Sequence, residues 1–373
     1  MPAADLQPAG PLTVLTVITP ARYSGAERMS VYLADGLQQR GHRVVFACKR
    51  NDLLLAALAA RGIEAHALPI GGKGNPAAPF MIAWLAERVG ADVIHTHLST
   101  AGLWGSVAGR IAGIPTVASV HALNARTCFM LADLIATCSG GVRDHLLDQG
   151  VPPERVRVLY NGVYPEQFDG LPGREQMRAE LGIAPDAPVI GEVAHLSPKK
   201  GQRHLIEATA VLARRWPDLV CLLLGEGDDR DELARLAARL GVNRAVRLLG
   251  YRHDAPRVMQ AMDLVVLPSV AKEGLGVCLI EAAFLGKPVV GSDAPGIREV
   301  LVDGETGLLA PVADSAGLSE RIAAILSDWP LASRMGDLGR RRARELFTVA
   351  KMAETAEGIY REAIAGTTRE RWL

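Results

Sequence analysis

Along almost the whole chain, apolar runs of five to seven residues alternate with longer stretches whose apolar positions recur at helical spacing. The first half carries VLTVIT (14–19), VVFAC (44–48), VIHTH (93–97), TVASVH (116–121), LIATC (134–138) and VRVLY (156–160). The second half carries VIGEVAH (189–195), VCLLLG (220–225), VRLLG (246–250), LVVLPS (264–269) and PVVGS (288–292). These runs are apolar throughout rather than alternating, which predicts parallel strands covered on both faces by helices. Helices are predicted from Gly25 to Arg40, His204 to Arg215, Arg230 to Leu240 and Glu281 to Leu285. The strand-helix rhythm is that of doubly wound α/β sheets. It pauses at the polar, Gly- and Pro-containing stretch DGLPGREQ (169–176) and resumes near Val189. The expected organisation is a domain over 1–170, a linker over 171–187, a second domain over 188–345, and a helical segment over 346–373 packing back on the first domain.

Composition narrows the function classes. At roughly 150 residues per domain, 373 residues suit two or three domains with cores of their own. Lys plus Arg (41) balances Asp plus Glu (41), so no global field favours nucleic acid, which is not expected as a partner. The stretch MPAADLQPAG at the start lacks the cationic, then apolar, pattern of a signal peptide. LLLAALAA (53–60) falls far short of the ~20 residues needed to cross a bilayer. The five cysteines (48, 128, 138, 221, 278) are scattered without a C-x-x-C pair and read as reduced, mostly buried thiols. A cytoplasmic protein is expected. PFMIAWLAERVG (79–90) fits an amphipathic helix and a buried helix equally, so peripheral contact with the inner face of a membrane stays open.

The densest chemistry lies in SVAKEGLGVCLIEAAFLGKPVVGSDAPGIREVL (269–301). Glu273 follows a strand, a turn follows at Gly274, Leu275 and Gly276, and a helix then carries Glu281. The glycines let backbone approach a ligand, and free N–H groups at a helix start favour an anion such as a diphosphate. Each carboxylate can accept hydrogen bonds from vicinal hydroxyls, one set on a sugar and one on a ribose.

Two glutamates separated by seven residues, then A-x-x-x-G-x-P-V-V and G-x-x-E, resemble the retaining glycosyltransferases of family 4. G-A-E-R (25–28), D-V-I-H-T-H (92–97), S-V-H (119–121), A-D-L-I-A-T-C-S (132–139) and Y-N-G-V (160–163) look like the first domain of that family. H-L-S-P-K-K-G (195–201) and G-E-G (225–227) look like its second. The resemblance covers almost the whole chain. It implies the GT-B architecture, two Rossmann-like doubly wound domains with a deep cleft between them and the nucleotide sugar held mainly by the second. Glu281 would bind ribose hydroxyls and Glu273 sugar hydroxyls, while the amides of Gly274, Leu275 and Gly276 would meet sugar and phosphate. Lys200 would neutralise the departing diphosphate, a role that charge development alone makes sensible. His121 would reach the donor sugar near the reacting carbon. His121, Lys200 and Glu273 are thus the catalytic candidates, and Gly25, His195, Lys200, Glu273, Gly274, Leu275, Gly276 and Glu281 the donor-binding ones. No cofactor or metal is expected.

Two departures from the family pattern stand out. The family usually has arginine where this chain has His195, and a histidine carries charge only when protonated. The usual Gly-Gly of the first loop is reduced to Ser24-Gly25. His97, also at a strand end, reads more easily as structural. Asp229-Arg230-Asp231 has the Asp-x-Asp pattern of metal sites in a different glycosyltransferase fold, but it heads a charged helix, where acidic residues suit the dipole.

The expected reaction moves a hexose-type sugar from a nucleoside-diphosphate sugar, UDP favoured over GDP, to a glycan, lipid-linked or small-molecule acceptor. A sugar-nucleotide epimerase of the same architecture would bind the same ligand without an acceptor, and a non-catalytic module would bind without turnover. A nicotinamide oxidoreductase is weak, because no clean G-x-G-x-x-G follows the first strand.

Overall fold

The computed structural model describes residues 10–21, 23–271 and 273–370. Most of the N-terminal stretch inspected for a signal peptide, Lys272 within the 269–301 segment and the last three residues of the C-terminal segment lie outside the described residues. The chain divides into two units, Met1–Gly162 with Thr348–Leu373, and Val163–Phe347.

The first unit holds seven parallel strands: β1 (Thr13–Ile18), β2 (Arg43–Cys48), β3 (Glu64–Ala67), β4 (Val93–His97), β5 (Thr116–Val120), β6 (Leu134–Thr137) and β7 (Val156–Val158), in the order β3-β2-β1-β4-β5-β6-β7. The second holds β8 (Val189–Val193), β9 (Val220–Leu224), β10 (Val246–Gly250), β11 (Leu264–Leu267), β12 (Val289–Ser292) and β13 (Gly307–Ala310), also all parallel, in the order β10-β9-β8-β11-β12-β13. Each sheet is doubly wound, so each is a Rossmann-like domain. Strand direction of travel reverses between β1 and β4 in the first and between β8 and β11 in the second. Beyond the carboxyl ends of the strands at such a switch point, loops diverge and leave a crevice for a ligand. Central strands β4, β5 and β9 are buried at every position, as their unbroken apolar runs require.

Two strands lie outside the predicted runs, and both are sheet edges. β3 reads EAHA with no position fully buried, as an edge strand covered less completely permits, and β13 is the short apolar run GLLA, four residues long.

The expected linker over 171–187 needs correction. It contains a helix, Arg174–Glu180, and lies inside the second unit. Arg178 on that helix is 1% exposed. Its guanidinium donates to Asp263 Oδ2 at 2.7 Å and to the carbonyls of Ala187 at 2.8 Å and Ala261 at 3.0 Å. Asp263 also accepts from Arg174 at 3.1 Å and from the Val189 N–H at 2.8 Å. A polar, Gly- and Pro-containing stretch reads as a connector, but its arginines find their partners some 85 residues away. At the other end, the helix Val349–Glu370 returns to the first unit, packing on the helix Gly25–Gln39 and over β4, β5 and β6.

Candidate functional site

In the second unit the loops after β8 and β11 flank the switch point, and the chain stitches them together. Val270 N–H donates to the Lys199 carbonyl at 2.9 Å. Gly201 has φ 77, and a Cβ there would lie 2.0 Å from the Pro268 carbonyl oxygen, so only glycine lets the first loop press against the end of β11. Lys200, the residue before, is thereby held over the second loop. Its Nζ donates to Glu273 Oε2 at 2.7 Å, and Ser269 Oγ donates to the same oxygen at 2.8 Å. Burial works against the Lys200 ammonium, but the charge and hydrogen bond of Glu273 outweigh it and hold its pKa above the ordinary value.

Behind this pair the turn Gly274-Leu275-Gly276 leads into the helix Val277–Phe284. Leu275 is 2% exposed, its side chain anchored in the core. Gly296 opens the backbone packing here, since a Cβ would come within 2.3 Å of the Glu273 carbonyl oxygen. Glu281, fifth in the helix, is 7% exposed. His195 is exposed, and with Glu226, Gly227, Asp228, Arg230 and Gly250 it lines an open depression. The structure therefore joins Lys200 and Glu273 directly, sets Gly274, Leu275, Gly276 and Glu281 along the same turn and helix, and leaves His195 exposed on the loop that also carries Lys200.

One residue of this site was missed by sequence reasoning. Glu192, in β8, is 1% exposed, and burial raises its carboxyl well above the ordinary range, with Lys200 acting in the opposite sense and Glu273 in the same. Gln202 Nε2 donates to Glu192 Oε1 at 3.1 Å and to the His195 carbonyl at 3.3 Å, tying strand to loop. The available signal was a lone acid in an otherwise apolar strand, VIGEVAH.

In the first unit Gly25 opens the helix Gly25–Gln39, with Glu27 accepting from the Ser24 N–H at 3.0 Å and its hydroxyl at 2.7 Å. A Cβ at Gly25 would meet nothing within 4 Å, so packing does not demand glycine there. His121 follows β5 directly. Its Nε2 lies 3.0 Å from Nδ1 of His97, a residue that sequence reasoning took as structural. Burial lowers the His121 pKa to about 4 and that of His97 well below the usual value, so both rings are neutral near pH 7.

Among the described residues, no group of three or more His, Cys, Asp or Glu is arranged to hold a metal ion, and no helix is long and apolar enough to cross a membrane. Asp229 and Asp231 begin the helix Arg230–Arg239, as their dipole preference requires. The five cysteines lie outside any disulfide, and four of them are buried.

Sequence comparison identifies what this geometry belongs to. Residues 173–342 match the profile of glycosyl transferases group 1, and residues 23–167 that of glycosyltransferase family 4. The chain is 32% identical to alpha-maltose-1-phosphate synthase of Mycolicibacterium smegmatis over 74% of its own length and 80% of the relative's. It is 30% identical to the lipopolysaccharide core biosynthesis glycosyltransferase LpsE of Rhizobium meliloti, over 84% and 89% of the two chains. Among solved structures, Anabaena HepE in complex with UDP-glucose superposes with a TM-score of 0.82 at 25% identity, over 96% of this chain and 100% of the other.

Proposed function

The chain belongs to the family 4 glycosyltransferases of GT-B fold, and on that premise we propose that it transfers a hexose-type sugar from a nucleoside-diphosphate sugar, with retention and without a metal ion. The observation that carries the donor reading is the contact of Lys200 with Glu273 at the switch point of the second unit, beside the Gly274–Gly276 turn. A cation and a hydroxyl acceptor side by side suit a ligand in which a diphosphate adjoins a sugar. Free N–H groups at the following helix start add donors for the phosphate oxygens. UDP is favoured over GDP, because the similar Anabaena protein was solved with UDP and with UDP-glucose.

In this reading the acceptor hydroxyl attacks the anomeric carbon from the face that the diphosphate leaves, and a phosphate oxygen takes its proton. Lys200 stabilises the charge that builds on the diphosphate as the glycosidic bond breaks. Glu273 orients the sugar through its hydroxyls, and Glu281 the ribose. His195 is the second group offered to the diphosphate on the loop that carries Lys200. The acceptor is a glycan, a lipid-linked sugar or a small molecule.

The test is calorimetric titration with UDP, GDP, UDP-glucose and GDP-mannose, followed by turnover of the best binder with and without acceptor sugars. Tight UDP-sugar binding and acceptor-dependent release of UDP support the proposal. Interconversion of the UDP-sugar without acceptor would identify an epimerase instead, and binding with neither outcome a non-catalytic module.

A further inference from the structure

The loop that carries Lys200 is held from three sides within the second unit. On the β11 side the Val270 N–H donates to the Lys199 carbonyl at 2.9 Å, and on the β9 side the Leu196 N–H donates to the Glu226 carbonyl at 2.9 Å. The third hold is a single side chain, that of Gln202, which opens the helix Gln202–Leu212 and is 2% exposed. Its Oε1 accepts from the Ser197 N–H at 3.4 Å, and its Nε2 donates to the His195 carbonyl at 3.3 Å and to Glu192 Oε1 at 3.1 Å. The Ser197 carbonyl in turn accepts the Lys200 N–H at 3.0 Å, closing the short turn Pro198–Lys200. A chain of contacts thus runs from Glu192 through Gln202 and Ser197 to Lys200.

These partners fix the Gln202 amide. A flipped amide would set N–H against N–H at Ser197 and oxygen against oxygen at His195. Nε2 therefore faces Glu192, whose Oε1 is an acceptor, and a proton on this carboxyl belongs on Oε2. Glu192 is 1% exposed, and its Oε2 has no partner among the described residues. The titratable groups that act on it are Lys200 and Glu273 from the loops after β8 and β11, Cys221 on β9 and Cys278 on the helix Val277–Phe284. Burial raises both thiols and keeps them neutral, and the Lys200 ammonium is engaged by Glu273 at 2.7 Å. Among the described residues no cation hydrogen-bonds Glu192, and a buried carboxylate without a paired cation is far costlier than a buried acid. Burial accordingly raises the carboxyl well above the ordinary range.

Resting on the reading that Lys200 meets the diphosphate, we propose that Glu192 is a positioning residue for Lys200: its buried carboxyl, carried as the neutral acid, holds Gln202, and Gln202 holds the backbone at His195 and Ser197 on which the Lys200 turn is built. Glu192 touches no ligand and acts through Gln202 alone. A loop set in advance loses little freedom when the diphosphate arrives, so the anchor shows in affinity.

Two variants of the full chain test this. Glu192→Leu removes the anchor, whereas Glu192→Gln keeps an acceptor for Gln202 and, like the neutral acid, carries no charge. Glu192→Leu should weaken UDP about tenfold in calorimetry and speed amide hydrogen exchange across 195–201, while Glu192→Gln leaves both within about twofold of wild type. In a Lys200→Met background Glu192→Leu should cost less than about twofold more, since a residue that acts through Lys200 then has nothing to place. The wild-type acid takes up a proton on folding, so its folded pKa is the higher one and stability is lost as pH rises above the ordinary value of 4.5. The Tm difference between Glu192→Gln and wild type should therefore move in favour of the variant from about pH 4.5 to about pH 8. A folded leucine variant with wild-type UDP affinity or wild-type exchange overturns the proposal. So does an equal loss of affinity with and without Lys200, a glutamine variant as impaired as the leucine one, or a Tm difference that ignores pH. If Glu192→Leu does not fold, Gln202→Met, which removes the bridge and leaves Glu192 in place, takes its part in the affinity and exchange measurements. If the wild-type protein binds no UDP, it is the diphosphate reading that fails, and exchange across 195–201 still decides whether Glu192 holds the loop.

Discussion

Lys200 and Glu273 stand 73 positions apart in the sequence and bind each other at 2.7 Å, so the two groups proposed to hold diphosphate and sugar neutralise one another in the ligand-free protein. A diphosphate must compete with Glu273 for the ammonium. Glu273→Gln removes the competitor, so the variant should bind free UDP as tightly as wild type or more tightly, while kcat/KM for the sugar donor falls. Lys200→Met should weaken UDP and also cut turnover by about 10²- to 10³-fold, the usual cost of removing a fixed group that stabilises transition-state charge. Calorimetry with UDP and steady-state kinetics with UDP-glucose separate the two. Loss of UDP affinity in the Glu273 variant would contradict the division of roles.

Glu281 should behave in the opposite manner to Glu273. It is buried in the helix Val277–Phe284, and hydrogen bonds from ribose hydroxyls to a carboxylate are worth about 1.5–3 kcal/mol. Glu281→Gln should therefore weaken UDP and UDP-glucose alike, by roughly ten- to a hundredfold. Thermal stability of the variant, measured alongside, tells loss of ligand contact from loss of fold. A variant that binds UDP normally would remove Glu281 from the ribose site.

Much of this site was legible because its parts are local. Glu273, the Gly274–Gly276 turn and Glu281 lie within nine residues, and the central strands announce themselves as apolar runs. What stayed hidden depends on distant partners. Arg178 looked like a linker residue until Asp263 closed on it, and His97 looked structural until β4 and β5 brought it against His121. Tyr360 reaches His95 across 265 positions, a pairing that no local pattern encodes. The edge strand β3 was missed because partial exposure frees it from the apolar pattern, and β13 because its apolar run is only four residues long.

The C-terminal helix should tether the first unit through Glu357 in a pH-dependent way. Its carboxylate accepts from Arg40 at 2.7 Å and from Arg361 at 2.7 Å, and His42 Nε2 lies 3.3 Å away. Burial alone would raise its pKa, but these partners outweigh burial and bring it down from 4.5 to about 2. The folded value is the lower one, so the stabilisation is present above about 4.5 and disappears as pH falls towards 2. Its size is on the order of 1–3 kcal/mol. Glu357→Gln should lower Tm by several degrees at pH 7, and the gap between variant and wild type should narrow steadily below pH 4 in scanning calorimetry. A gap of constant width down to pH 2.5 would mean that shape rather than charge explains the loss.

His195 gives the sharpest test of how the donor is held. It lies exposed on the same loop as Lys200, at the position where the family pattern has arginine, and its backbone carbonyl is fixed by Gln202. Lys200, whose ammonium Glu273 holds above its ordinary pKa, is the permanent cation of this loop. If His195 assists it with the diphosphate, His195→Ala should weaken UDP and UDP-glucose alike, and His195→Arg, which supplies a permanent cation with a planar fork of donors, should hold or improve donor affinity. The measurement is UDP affinity by calorimetry and kcat/KM for the sugar donor in the three proteins, with Lys200→Met as the reference for loss of a permanent cation. An alanine variant with wild-type affinity for UDP would leave His195 outside the diphosphate site.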